Sequence, residues 1–160
     1  MNLRTTYRQP DAARYRAPGG AWDVPTLDRL LSGTHRPGRT AVVDGEVRLD
    51  GGALEAAVAA VAGGLRARGI GRRSVVAWQL PNWWEAVVLF RACWRCGAVA
   101  APIHHQVGAS EVAAMVASLE PAVTLSGAGL PLTELPGTLT VRGGEPVAVA
   151  VVTVGASVDP

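Results

Sequence analysis

Five short stretches carry side chains able to do chemistry. Cys93 and Cys96 stand as C-x-x-C, the spacing of a redox dithiol or of half a zinc shell. They fall inside an apolar run of helical period, and the 160 residues hold no other cysteine to complete a metal shell. The spacing therefore reads as two small buried hydrophobes. His104 and His105 follow a strand-like run, at the carboxyl edge where α/β sheets take ligands. They mark a substrate-side loop. Because no carboxylate or cysteine lies near them in sequence, a solvated loop is the simpler reading of the pair. Gly127-Ala128-Gly129 also follows a strand, but position 132 is Leu where a dinucleotide loop needs a third glycine, and Pro131 opposes a helix there. A surface turn is expected. Ser126 lacks the G-x-S-x-G surroundings of a hydrolase elbow. Asp44 and Glu46 flank a tight turn and read as solvated, not as a catalytic pair.

The elements that position these residues follow from periodicity. Residues 1–25 read as an irregular leader broken by Pro10, Pro18, Gly19, Gly20 and Pro25. A short helix over Thr26–Leu31 would bury Leu27, Leu30 and Leu31. Residues 40–43 and 46–49 form a hairpin around Asp44-Gly45. Asp50 caps a helix from Ala53 to Arg68, whose Leu54, Val58, Val61, Ala62 and Leu65 make one stripe, and Gly69 ends it. Ser74–Leu80 is apolar on both faces, as a covered parallel strand requires, and Pro81 stops it. Asn82 stands three residues before Glu85, close to a capping box, so a helix begins at Trp83 and ends at Gly97. A strand over 98–101 closes at Pro102. A helix over 111–119 and a strand over 122–125 follow. Short connections between these units predict an α/β fold, a mainly parallel sheet covered by helices, over residues 26–126. Residues 127–160 read as loop-rich, with one further strand near 147–154.

Composition excludes several classes. Half the residues (49%) are hydrophobic and 18% charged, enough for a core. A net charge of +2 is too small for a nucleic-acid partner, and Trp83-Trp84 lacks interleaved basic residues. No apolar run reaches the ~20 residues of a membrane span, and the polar start, with Arg4 and Arg8, does not read as a secretory signal. A soluble cytoplasmic protein is expected.

Residues 41–126 resemble the N-terminal subdomain of the adenylate-forming superfamily, which includes acyl-CoA synthetases. AVVDGEVRLDGGAL is similar to that family's opening hairpin and first helix. GGLRARGIGRRSVVAWQLPNWWEAVVLFRACWRCGAVAAPI is similar to its helix, turn, strand, L-P-N, helix and G-A-V-x-x-P, with Pro81, Asn82, Gly97 and Pro102 at motif positions of structural weight. SEVAAMVASLEPAVTLSG resembles the helix and strand that come next. In such enzymes, the resemblance implies, ATP and a carboxylic acid give an acyl-adenylate and pyrophosphate, CoA then releases acyl-CoA and AMP, and Mg²⁺ assists.

The family's phosphate loop, a variant of T-S-G-T-T-G-x-P-K-G, has no counterpart here. The chain is therefore expected to be a partial acid–CoA ligase, inactive alone, with no catalytic or metal residues and no cofactor of its own. Its partner would be the remainder of a ligase on a separate chain, or a second copy meeting an exposed apolar face. The other classes open at this point are a non-catalytic interaction half-domain and a flavodoxin-like binder of a small ligand.

Overall fold

A computed structural model describes residues 9–23, 26–34 and 36–141. The expected strand near 147–154 lies outside them. Strands β3 (Val75–Gln79), β4 (Val99–Ile103), β5 (Val123–Gly127) and β6 (Leu139–Val141) pair in the order β4-β3-β5-β6, every pair parallel. β1 (Thr40–Asp44) and β2 (Val47–Asp50) form a separate antiparallel hairpin. Helices α3 (Gly51–Ala67) and α4 (Trp84–Cys96) precede β3 and β4, and α5 (Ala109–Leu119) precedes β5. The α/β class and the parallel sheet stand as expected.

The chain steps from β3 outward to β4, then back across β3 to β5. Right-handed crossovers therefore put α4 and α5 on opposite faces. On the α3–α4 face, Leu54, Val58, Val61 and Leu65 meet Val88, Leu89, Ala92 and Cys93 over Val76, Trp78 and Leu125 of the sheet. On the other face Ile103, Val112 and Leu132 form a smaller cluster.

Caps explain the helix boundaries. Asp50 Oδ1 accepts from Ala53 N at 2.7 Å, and Gly97 ends α4 in the left-handed region at φ 70°. The start of α4 differs from expectation. Asn82 is exposed and makes no cap, and Trp83 takes the N-cap position without a side-chain bond. The cap comes from Asp44, whose Oδ2 accepts from Trp84 N at 2.9 Å. Asp44 is thus a half-buried structural carboxylate that fixes the hairpin to α4, not a solvated turn residue.

Four further expectations change. Residues 9–16 form a helix, α1 (Gln9–Arg16), in the stretch read as irregular; Pro10 suits a first turn because its missing N–H has no partner there in any case. α2 (Leu27–Ser32) forms, but buries none of its leucines: Leu27 and Leu30 are each 48% exposed. It docks instead through Asp28 and Ser32, which meet Arg91 and Arg95 of α4 beside Glu55 of α3. Pro102 does not close β4 but sits within it, in register with Trp78. β4 is an edge strand, and Val99 N points to β3 by donating to Ser74 O; Pro102, of opposite parity, faces away, where a missing N–H costs no ladder bond. Finally, β6 extends the sheet beyond residue 126.

Candidate functional site

β3 and β4 end side by side, and the chain leaves both at the same edge of the sheet. β3 continues through Leu80-Pro81-Asn82 into α4, while β4 continues through His104-His105 toward α5. Between these exits lies a cleft of about 260 Å³ lined by Trp78, Leu80, Phe90, Asn82, His104 and His105, with Pro81 and Pro102 also on its wall. Five of the residues singled out in sequence, Pro81, Asn82, Pro102, His104 and His105, thus share one cavity. Gly97 lies at the other end of α4, outside it.

The cleft has an apolar floor and a polar rim. Trp78 is buried and meets Phe90 edge to face, centroids 4.9 Å apart. His104 and His105 stack at 4.5 Å with their planes 26° apart. Gln106 N donates to His104 Nδ1 at 3.2 Å, so a neutral His104 carries its proton on Nε2 as an outward donor. Among the described residues no carboxylate, thiol or hydroxyl lines the cleft. The arrangement can bind an apolar body with a polar end.

Sequence reasoning missed the residue that holds this edge together. Gln79, the last residue of β3, is fully buried. Its Nε2 donates to His104 O at 3.2 Å and Val107 O at 3.0 Å, and its Oε1 accepts from Leu132 N at 2.9 Å. One amide therefore ties the histidine loop and the 3₁₀ turn (Pro131–Glu134) to the sheet. A lone polar residue in a run otherwise made of Val, Ala, Trp and Leu was the available signal, since a buried amide needs partners.

The other candidates take structural roles. Cys93 is buried and its thiol is pushed up to about 12, by burial first and then by Cys96. That thiol stays protonated and unreactive at neutral pH. Cys96 Sγ donates to Ala62 O at 3.5 Å. Ser126 is buried and bonded to Thr133 and to Gly127 O, with no base beside it. Gly127 is buried at the end of β5, where a Cβ would stand 3.1 Å from Leu130 and 3.3 Å from the Trp83 ring. The glycine serves close packing, not a phosphate. Among the described residues no group of His, Cys, Asp and Glu is placed to hold a metal ion.

A family model described as "AMP-binding enzyme" matches residues 32–156. The chain belongs to the AMP-binding enzyme family. It is 38% identical over 109 residues to "Protein Y" of Streptomyces griseus, covering 67% of this chain and 36% of that protein. It is 33% identical over 106 residues to a medium-chain fatty-acid–CoA ligase of Escherichia coli, covering 64% and 19%. A naphthoate–CoA ligase of Streptomyces carzinostaticus, named for 2-hydroxy-7-methoxy-5-methyl-1-naphthoate, is 40% identical over 90 residues, covering 55% and 16%. The chain thus spans about a third of the first of these relatives and under a fifth of the others. In structure it superimposes on a benzoate CoA ligase from Burkholderia xenovorans with TM-score 0.68, covering 86% of this chain and 29% of that one at 17% identity, which shows the fold. The α/β architecture thus matches that of the N-terminal subdomain of adenylate-forming enzymes. Among the described residues no helix is long and apolar enough to cross a membrane.

Proposed function

We propose that this chain is the N-terminal part of an AMP-forming acid–CoA ligase: in the complete enzyme a carboxylic acid and ATP give an acyl-adenylate and pyrophosphate, and CoA then gives acyl-CoA and AMP. The match of residues 32–156 to the AMP-binding family, joined to relatives named as CoA ligases, carries the reading. Within it, the cleft of Trp78, Phe90, Asn82, His104 and His105 forms part of a wall on the acid's side, since its floor is apolar and its rim donates hydrogen bonds.

The residues here do not fit the nucleotide. Holding a triphosphate takes backbone amides on a glycine-rich loop, hydroxyls and an ammonium. The 160 residues contain no lysine, and all 15 basic residues are arginines. No step of the ligase reaction is therefore placed on this chain, and ATP, Mg²⁺ and CoA belong to residues supplied elsewhere, on the remainder of a ligase or on a partner chain.

The test is ATP–pyrophosphate exchange with a panel of medium-chain and aromatic acids. The purified chain alone gives background exchange, and the chain co-expressed with the remainder of a related ligase gives acid-dependent exchange. Turnover by the chain alone would refute its dependence on a partner. Silence of the pair with every acid, while the related ligase itself is active, would sink the ligase reading.

A further inference from the structure

The loop between α2 and β1 carries a second cavity, of about 240 Å³, lined by Thr34, Arg36, Arg39 and Thr40. Its shape is set by two residues between the arginines. Arg39 N donates to Arg36 O at 3.2 Å, closing a β-turn whose corners are Pro37 and Gly38, the latter at φ +77°. Proline followed by a positive-φ glycine is the type II arrangement. Such a turn brings its first and fourth residues together, so it holds Arg36 and Arg39 side by side.

The turn is also braced. Gly38 N donates to Asp50 Oδ2 at 3.2 Å, and Gly51 N donates to Arg39 O at 3.0 Å, which fastens it to the start of α3. Asp50 is the carboxylate at hand, and it is engaged with backbone amides: the Ala53 N–H foremost, against slight burial, holds its acid form below the ordinary aspartate range. Among the described residues neither Arg36 nor Arg39 has an ion-pair partner, whereas Arg91 and Arg95 each have two. The Thr40 hydroxyl has no hydrogen-bond partner there either, while Thr34 Oγ1 donates to Leu31 O at 2.8 Å and forms a wall. Two guanidiniums on one cavity wall make an anion its complementary ligand. Among the described residues the lining has no aliphatic or aromatic side chain to receive an apolar acid, and no carboxylate to receive a metal ion.

We propose that the Arg36–Arg39 turn is a binding site for soluble phosphate-bearing small molecules, taking a diphosphate or phosphomonoester end between its two guanidiniums with Thr40 donating. Guanidinium forks suit phosphate oxygens in pairs. The site is independent of the ligase reading, because it rests on the turn alone.

Titration of the full chain with inorganic pyrophosphate, followed by ¹H–¹⁵N spectra with sodium chloride at matched ionic strength as the control, tests this. Saturating shifts at Gly38, Arg39, Thr40 and the arginine Nε–H signals are expected with pyrophosphate and not with chloride. The Arg36→Gln, Arg39→Gln double variant, with an unchanged spectrum elsewhere, weakens binding roughly tenfold or more. The same pair of changes at Arg72 and Arg73 leaves it unaltered. Shifts that stay linear and match chloride overturn the proposal, as does equal binding by the double variant, or binding only to phosphatidate-bearing vesicles.

Discussion

The two faces of the parallel sheet are built on different principles. Toward α3 and α4 the contacts are aliphatic and aromatic, with Val58, Val61, Leu65, Val88 and Leu89 all fully buried. Toward α5 and the 3₁₀ turn the apolar cluster is small, and much of the contact is polar: Gln79 clamps three backbone groups, Thr124 bonds Thr138 at 2.8 Å, and Thr133 bonds Ser126 at 3.0 Å. α5 buries Val112 alone and leaves Met115 42% exposed. One face supplies stability through apolar burial; the other supplies directional bonds that fix where the loops at the sheet's carboxyl edge must lie.

Breaking the comparison outright calls for matched truncations. Leu89→Ala should cost about 2–5 kcal/mol, and Val112→Ala roughly 1–2 kcal/mol, read from urea midpoints. Equal losses would mean that the two faces contribute alike. Gln79→Ala comes next, at roughly 2–4 kcal/mol, because it removes the side-chain partner of the Leu132 N–H and the Val107 carbonyl, while His104 O keeps its bond from Val107 N; beyond stability, it should broaden the amide signals of 104–107 and 130–134 and leave those of α3 unmoved. Broadening spread evenly over the sheet would deny the clamp its local role. Smaller again is Asp44→Ala, about 1 kcal/mol for a lost helix cap, against no measurable change for Asn82→Ala. A larger loss at Asn82 would return the cap to the residue expected from sequence.

The finest test uses acid. Asp28 and Glu55 are partly buried, which would raise them, but hydrogen bonds and charge from Arg95 and Arg91 outweigh burial and hold both below their ordinary values of 3.8 and 4.5. A carboxylate lowered in the folded state contributes stability above its unfolded value and loses it as pH falls through the folded one. Stability should therefore decline below about pH 4.5, and Asp28→Asn should flatten that limb while lowering stability at pH 7. An unchanged acid limb in the variant would remove Asp28 from the network that docks α2.

What was legible in the residues was whatever local pattern decides. The α3 stripe, its Asp50 cap and Gly69 stop, the covered β3 run and the Gly97 end of α4 are all settled within a few positions, and each is found where expected. Contacts across long separations were not legible. The Asp44 cap of α4 spans 40 residues, and Asp28 reaches Arg95 across 67. For α2 the apolar stripe misled, since a six-residue helix with two exposed leucines is held by charge instead. The candidate cleft was half legible: its histidines and Asn82 stood out by type, while Trp78, Phe90 and the Gln79 clamp behind them read only as strand and helix core.

Pro102 also guards one border of the sheet. On the outer side of β4 it interrupts the row of donors, and Ala98 N is already spent on Cys93 O, so a strand arriving there meets a ladder with rungs missing. β6, at the other border, carries no proline among its three residues. The β4 border therefore resists edge-to-edge aggregation, a protection that proline does not give at β6.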